Sequence, residues 1–121
     1  MSWEVEYTDE FEAWWNRLGE GEQDAIAVVV GLLEGKGPYL PFPYSSGIAT
    51  SRHAHMRELR IQYRGNPYRV LYALDPRRIA LLLLGGCKVG DDRWYIENVP
   101  IADRLYDEHL KTLETEEKGN G

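Results

Sequence analysis

The segment that decides the fold covers residues 55–88 and reads HMRELRIQYRGNPYRVLYALDPRRIALLLLGGCK. It holds three runs in which aliphatic and aromatic residues are frequent, at about 55–63, 67–74 and 79–86. The sequences RGNP and DPRR separate these runs and are rich in turn-forming residues. Apolar runs of this length joined by short turns are typical of β-hairpins. We therefore predict three consecutive strands that form an antiparallel meander.

The flanking segments predict one further strand and three helices. WEVEY at 3–7 alternates apolar and acidic residues, as expected of a strand with one solvated face. Apolar residues recur at helical spacing over 8–18, 22–34 and 99–113, with Pro100 in the first turn of the last helix. The predicted fold class is α+β, in which the two N-terminal helices pack on a small, largely antiparallel four-stranded sheet. A C-terminal helix follows, and this two-layer arrangement leaves the other face of the sheet partly open.

Composition indicates a single globular domain over residues 1–121, in which we expect 114–121 to be a frayed tail. Hydrophobic residues make up 43% of the chain, which is enough for a buried core. The longest apolar run, at 79–87, is too short to cross a membrane, and the acidic N-terminus lacks the basic start of a signal peptide. Cys87 is the sole cysteine, which excludes an internal disulfide and favours a cytoplasmic location.

Charge is distributed unevenly along the chain, whose formal net charge is −6. Residues 52–88 contain eight basic and two acidic side chains, a balance of +6. The remainder contains six basic and eighteen acidic side chains, a balance of −12. The negative total argues against long-range attraction to nucleic acid. Salt screens charges over about 8 Å, however, so a local basic patch can still bind an anion.

Side-chain alternation brings several of these basic residues to one face of the predicted sheet. If the apolar residues of the first meander strand point into the core, Glu58 and Arg60 face the open side. The same argument places Arg69 of the next strand beside them, and Lys88 follows the end of the third strand. Tyr95 lies a few residues further on. The alternation thus predicts a concave surface at which two arginines and a lysine converge.

Two interpretations of this surface remain open from the residues alone. Guanidinium groups match the geometry of phosphate oxygens and offset the charge of a phosphorane, and adjacent aromatic rings can stack on an unpaired base. Alternatively, Arg60 pairs with Glu58 or with a helix acid, and Arg69 is a solvated strand residue.

Four parts of the chain together resemble a known family: SRHAHMRELR (51–60), YRVLYALDPRRIALLLLGGCK (68–88), WY (94–95) and IADRLYDEHL (101–110). In this order they resemble the RelE/HigB superfamily of bacterial toxins, in the HigB-like branch that phages also carry, over about residues 3–113. The resemblance implies a RelE-like fold and a ribosome-dependent mRNA endonuclease that inhibits translation. It also implies that an antitoxin holds the protein inactive.

The resemblance further implies a hydrolytic chemistry without metal or other cofactor, in which the 2′-hydroxyl of the RNA attacks the adjacent phosphate. Arg60 and Arg69 match positions that bind and stabilise the scissile phosphate. Lys88 matches the basic residue after the last long strand. Tyr95 matches an aromatic residue that stacks on a base or assists proton transfer.

The general base is the main departure from the family pattern. The more basic members carry lysines where this chain has Met56 and Glu58, so we take His55 as the candidate base, since an imidazole titrates near neutral pH. The strand phase of His55 favours the core side unless the strand entrance is kinked. His53 and His55 could supply half of a metal site, but no nearby motif offers a third ligand, and we predict no metal.

The sequence also leads to expectations about further RNA contacts and about the partners of the protein. Further contacts to RNA are expected from basic and aromatic residues on and around the meander: Arg52, Arg57, Arg64, Arg77, Arg78 and Trp94. The implied partners are mRNA in the ribosomal A site and a cognate helix-turn-helix antitoxin of the HigA type, with a toxin–antitoxin hetero-oligomer left open. Two alternatives remain: a ParE-type toxin that poisons DNA gyrase on the same fold, and a catalytically silent binding protein.

Overall fold

A mixed sheet lies at the centre of the computed structural model, which describes residues 2–90 and 93–120. Over these residues the sheet has five strands: β1 (Glu4–Tyr7), β2 (Ser45–Gly47), β3 (Met56–Tyr63), β4 (Asn66–Asp75) and β5 (Ile79–Cys87). Their order is β1-β5-β4-β3-β2, with β1 parallel to β5 and every other neighbouring pair antiparallel. The predicted α+β class and the antiparallel meander are confirmed.

The expected count of four strands is wrong, because the connector before the meander contributes β2. This strand has the sequence SSG, and serine and glycine are not enriched in strands. It forms because the connector runs antiparallel along β3, where Ser45 lies opposite Leu59 and Gly47 lies opposite Arg57. Pairing with a distant strand therefore outweighs local propensity here.

Two helices cover one face of the sheet, as predicted. These are α1 (Asp9–Asn16) and α2 (Glu20–Lys36), and the Thr8 hydroxyl caps α1 by accepting a hydrogen bond from the Phe11 N–H at 3.0 Å. Ile26 and Leu33 of α2 are fully buried in the core that these helices share with the sheet.

The third helix covers the opposite face, so the prediction of two layers with a partly open second face is wrong. Helix α3 (Arg93–Asn120) contributes Val99, Ala102 and Leu105 to a second buried cluster against the sheet. It begins six residues before the predicted start and continues beyond Leu113, so 114–120 extend the helix where a frayed tail was expected. Pro100 lies inside the helix and not in its first turn. No helix among residues 2–90 and 93–120 is both long enough and apolar enough to cross a bilayer.

The strand register places the residues of interest. Arg60 of β3 lies opposite Arg69 of β4, which in turn lies opposite Gly86 of β5. A β-bulge at Leu71/Tyr72 shifts the register between β4 and β5. Consecutive leucines alternate between the faces of β5, with Leu82 in one buried cluster and Leu81 and Leu83 in the other, so this interior strand is covered on both faces.

Candidate active site

Charged and polar side chains from four elements meet on the face of the sheet that α3 covers. We call this group the Glu58 cluster, and its members are Ser46, Glu58, Arg60, Arg69, Lys88 and Tyr95. Glu58 and Arg60 are two residues apart on β3 and therefore share a face, and Arg69 is the cross-strand partner of Arg60. Tyr95 comes from the first turn of α3.

Glu58 is the centre of the cluster, and its side chain is only 6% exposed. Its Oε1 accepts a hydrogen bond from the Tyr95 hydroxyl at 2.5 Å and lies 3.3 Å from Nε of Arg69. Its Oε2 accepts from the Ser46 hydroxyl at 2.6 Å and from Nη1 of Arg60 at 3.3 Å. A buried carboxylate needs such partners, and here a single carboxylate contacts two guanidinium groups.

The two arginines differ in how firmly they are held. The Arg69 side chain is 6% exposed, its Nε lies 3.3 Å from the Tyr95 hydroxyl, and its Nη1 donates to the Tyr68 carbonyl at 3.0 Å. The Arg60 side chain is 29% exposed, and its guanidinium lies over the Phe42 ring at 5.0 Å from the centroid. Arg69 is therefore fixed within the protein, whereas Arg60 extends from the cluster to the surface.

Tyr95 links the cluster to the lysine and to α3. Nζ of Lys88 lies 5.2 Å from the centroid of the Tyr95 ring. Burial and the hydrogen bond to Glu58 raise the pKa of Tyr95, although Arg69 acts in the opposite direction, so the phenol stays protonated at neutral pH. Trp94 lies so close over Gly86 that a Cβ there would come within 2.5 Å of the indole Nε1, so only glycine permits this approach of α3 to the sheet.

A cavity of about 600 Å³ opens beside the cluster. Glu58 and Tyr95 contribute to its wall, and Ile48, Val99 and Pro100 are among the apolar residues that complete it. The carboxylate and the phenol are thus the polar groups of the cluster that border this space.

The structure does not bring His55 into the Glu58 cluster. This residue lies in the turn that precedes β3 and lines a separate cavity of about 490 Å³ together with Arg57 and Leu74. His53 does not form half of a metal site with it, because Nε2 of His53 lies 2.7 Å from Asp107 on α3. The core side that the strand phase favoured is wrong for His55, because this residue lies in the turn and not in β3, and it is exposed.

The remaining predicted RNA contacts are spread over the molecule. Arg52 pairs with Asp107, and Arg77 pairs with Asp75, at the end of the sheet opposite to the β3–β4 turn. Because each hairpin reverses the chain direction, the β3–β4 turn and the β4–β5 turn lie at opposite ends of the sheet. The other contacts are as follows: Arg78 lies over Trp3, Arg64 lies over Tyr63, Arg57 donates to Ser45, and Trp94 packs beside Tyr95.

Two members of the cluster, Ser46 and Glu58, were not among the predicted site residues, although pairing of Arg60 with Glu58 was one of the two interpretations and is present. Ser46 gave no signal, because its position depends on the pairing of β2 with β3. Glu58 did give one, since strand alternation already placed it on the same face as Arg60. The position of Glu58 on the same face as two arginines therefore indicated that it could bind both of them. The sequence analysis treated it only as a residue that replaces a lysine of the family.

Comparison with known proteins identifies a family and two relatives in sequence. The family described as phage derived protein Gp49-like matches residues 13–107. A candidate toxin of Mycobacterium tuberculosis named HigB2 is 35% identical over 108 residues, which cover 88% of this chain and 54% of that protein. A second candidate toxin of the same organism, HigB3, is 40% identical over 94 residues, which cover 77% of this chain and 81% of that protein. The chain thus spans about half the length of the first relative.

Solved structures show the same fold at low sequence identity. A mutant of the Escherichia coli toxin RelE in the free state superposes with a TM-score of 0.55 at 12% identity, covering 93% of this chain and 98% of that one. The toxin–antitoxin complex RelBE2 of Mycobacterium tuberculosis contains a chain with a TM-score of 0.54 at 18% identity, covering 73% of this chain and 100% of that one.

Proposed function

This chain belongs to the phage-derived Gp49-like family, within the RelE/HigB superfamily of toxins, and we propose that it is the toxin of a type II toxin–antitoxin system that cleaves mRNA on the ribosome. Its relatives HigB2 and HigB3 are described as candidate toxins. RelE chains of the same fold occur in complexes with their antitoxins, which supports an antitoxin as the partner of this chain.

One observation carries the nuclease proposal: Arg60 and Arg69 lie opposite each other and both contact one oxyanion, the Glu58 carboxylate. A pair of guanidinium groups arranged around an oxyanion is also the arrangement that binds a phosphodiester and stabilises the added charge of its transition state. A phosphate that enters beside Glu58 would take over part of the hydrogen bonding of both arginines. Arg69, which is buried and fixed, would then be the main stabiliser of charge.

The proton acceptor in this proposal is Glu58, because it lies within the cluster whereas His55 lines a separate cavity. With the cavity empty, two guanidinium groups stabilise the Glu58 carboxylate. Once they bind phosphate, part of their hydrogen bonding passes from the carboxylate to the phosphate oxygens. The carboxylate can then accept the proton of the 2′-hydroxyl as this oxygen attacks phosphorus, which gives a cyclic phosphate and a free 5′-hydroxyl.

Lys88 and Tyr95 serve the other side of the reaction. The leaving 5′-oxygen is stabilised by the Lys88 ammonium beside the Tyr95 ring and takes a proton from solvent, which gives the free 5′-hydroxyl. Tyr95, which hydrogen-bonds to Glu58 and to Arg69, keeps both groups in position. These roles need no metal ion.

The test is expression in a bacterium of the wild-type chain, Arg69→Ala and Arg60→Ala, with Arg104→Ala as the matched control. Arg104 is a 65% exposed arginine of α3 outside the cluster. We expect growth arrest with mRNA cut within codons for the wild type and for Arg104→Ala. Both other variants should lose cleavage by about a hundredfold or more, as expected when a stabilising donor is removed.

Two other outcomes would contradict the proposal. Growth arrest with DNA damage and intact mRNA would identify a gyrase-poisoning toxin, and absence of arrest would identify a silent binding protein. Because Arg69 is buried, its variant also needs a thermal unfolding measurement. Arg60→Ala, whose side chain is more exposed, gives an independent answer if Arg69→Ala does not fold.

A further inference from the structure

The connector between α2 and β2 exposes an unusual number of aromatic rings. Tyr39, Phe42 and Tyr44 lie within six residues and are 83%, 69% and 42% exposed. Clustered exposed aromatic side chains on a folded protein mark a binding surface more often than isolated ones do. These rings have no role in the chemistry proposed above.

The backbone of this connector is fixed although its rings are exposed. The N–H groups of Tyr44 and Ser45 donate to the Pro41 carbonyl at 3.0 and 3.1 Å, and the Arg60 N–H donates to the Tyr44 carbonyl at 2.9 Å. Leu40 is 3% exposed and anchors the same segment in the core. The rings are therefore presented by an ordered loop, which reduces the entropy lost when a ligand binds.

Arg60 connects this loop with the Glu58 cluster. Its guanidinium lies 5.0 Å from the centroid of the Phe42 ring, and its Nη1 lies 3.3 Å from Oε2 of Glu58. One side chain thus contacts an exposed aromatic ring and the carboxylate at the centre of the proposed site.

A groove of about 470 Å³ runs along β3 beyond the end of β2, within the size range of small-ligand sites. Arg60, Arg69 and Gln62 are among the residues that line it. Tyr44 and Val28 belong to its aromatic and aliphatic part. Cationic and apolar surfaces therefore meet in one groove, next to the position proposed for the scissile phosphate.

We propose that this groove, together with the adjoining Phe42 ring that Arg60 contacts, is a subsite for one nucleobase of single-stranded RNA, whose phosphate lies on Arg60 and Arg69 while its base stacks against Phe42. Tyr44 forms part of the wall beside the base, and the Gln62 amide can donate to or accept from a base edge. The inference rests on the proposed function and extends it, because it names a second part of the substrate that the protein contacts.

A nucleotide fits these observations better than a peptide does. The connector from Pro38 to Tyr44 contains no charged side chain, so it offers a ligand aromatic stacking but no ionic contact of its own. Stacking on aromatic rings is possible for every nucleobase. A peptide would have to bring an acidic side chain to the arginines and an aromatic one to the loop. A nucleotide carries both chemistries in one unit.

The test is a nuclear magnetic resonance titration of the full chain with three probes: inorganic phosphate, adenosine and adenosine 5′-monophosphate. We expect phosphate to shift the arginine Nε–H signals alone, and the mononucleotide to shift the ring signals of Phe42 and Tyr44 as well. The mononucleotide should bind more tightly than either fragment. If phosphate and the mononucleotide bind equally and the ring signals do not move, the subsite does not exist.

Three variants separate stacking from simple hydrophobic contact. Phe42→Leu keeps apolar volume but removes the aromatic face, so it should weaken mononucleotide binding about tenfold and leave phosphate binding unchanged. Phe42→Trp should preserve or tighten binding. Tyr39→Leu is the matched control and should behave as the wild type, since Tyr39 belongs to the same connector but it is the Phe42 ring that contacts Arg60.

The outcomes distinguish this inference from the proposed function. If mRNA is cleaved in an Arg69-dependent manner but Phe42→Leu cleaves at the same positions and rate, the function stands and the subsite is wrong. If the mononucleotide binds as expected but cells show no cleavage, the subsite stands and the nuclease proposal fails. If the rings respond to the antitoxin and not to the mononucleotide, the loop serves a protein partner and the inference is overturned.

Discussion

Two buried carboxylates of the sheet, Glu58 on β3 and Asp75 at the end of β4, are bound by arginine in different ways. Asp75 ends β4 with its side chain fully buried and accepts from Nη2 of Arg77 at 2.7 Å and from Nε2 of His109 at 3.0 Å. Glu58 is similarly buried but contacts two arginines. At Asp75 the arginine comes from the same turn, two residues away, whereas Glu58 draws its partners from β2, β3, β4 and α3.

The charge balance of the two sites differs accordingly. Arg77 is shared between Asp75 and Glu6, whose Oε1 lies 3.4 Å away, so one guanidinium faces two carboxylates and no positive charge is left in excess there. At Glu58 two guanidinium groups share one carboxylate, which leaves an excess of positive charge next to a cavity. The contacts of Asp75 join a turn to α3 and leave no positive charge for another ligand, whereas the excess of positive charge at Glu58 can bind a further anion.

The largest expected effect compares Glu58→Gln with Asp75→Asn. Glu58→Gln should lower the rate of mRNA cleavage by about a hundredfold or more, because it removes the proposed proton acceptor. Asp75→Asn should leave the cleavage rate of the folded protein within about twofold, because Asp75 has no contact with the Glu58 cluster. The measurement is the cleavage rate of mRNA on purified ribosomes, with His55→Ala as the competing arm. A loss in His55→Ala with full activity in Glu58→Gln would restore the histidine as base.

The same comparison shows which parts of the molecule were readable from the sequence. The meander and the shared face of Arg60 and Arg69 follow from turn residues and side-chain alternation, which act over a few residues. The strand β2 and the docking of Tyr95 beside Glu58 depend on partners that lie more than ten residues away in sequence. Local periodicity carries no information on such pairings. Side-chain alternation therefore predicted that the two arginines of the candidate site share a face. It placed Glu58 on that face as well, but it did not predict that Glu58 is the centre of the cluster.

Helix α3 illustrates the same limit. Its apolar spacing was correctly placed on a helix, but the predicted boundaries omitted the turn that carries Trp94 and Tyr95. That turn is held by the approach of Trp94 to Gly86, a contact between elements that no helical pattern signals. Because the predicted helix began at residue 99, both aromatic residues lay outside it. Their contacts with Gly86 and Glu58 could therefore not be predicted.

A smaller effect is expected in the pH dependence of stability at the Asp75 end. Burial alone would raise the pKa of Asp75, but the hydrogen bonds from Arg77 and His109 outweigh it and hold the pKa below its usual value. The folded state therefore favours the ionised form, and the stabilisation is present above the unfolded pKa of about 3.9 and lost as pH falls through the lower folded value. At neutral pH, Asp75→Asn should lower the free energy of unfolding by about 2 kcal/mol.

Urea unfolding at neutral pH and at about pH 3 measures this contribution. The difference between wild type and Asp75→Asn should shrink as the pH falls. A difference that stays constant would show that the charge of Asp75 does not stabilise the fold. Because Arg77 also contacts Glu6, an exposed pair, Glu6→Gln serves as the control and should change stability by less than about 1 kcal/mol.

The smallest expected effect compares the two tyrosines beside these carboxylates. Burial raises the pKa of both, and a nearby acid adds to it: Glu58 for Tyr95 and Asp75 for Tyr106. The Tyr95 hydroxyl donates to a carboxylate at 2.5 Å, whereas the Tyr106 hydroxyl donates to the Leu74 carbonyl at 3.4 Å. Tyr95→Phe should therefore cost about 1 kcal/mol of stability, and Tyr106→Phe about half as much.

A raised folded pKa means that the contribution of each phenol is complete below the unfolded value of about 10 and is lost as pH rises through the folded value. Urea unfolding of both variants at neutral pH and above about pH 10, with tyrosinate absorbance as the titration signal, checks the sign. In the cleavage assay Tyr95→Phe should lower the rate several-fold and Tyr106→Phe should leave it unchanged. Of these two tyrosines, only Tyr95 contacts Glu58 and Arg69. Equal activity in both variants would reduce Tyr95 to a stabilising contact, and the arginines would have to keep their geometry through Glu58 and Tyr68 alone.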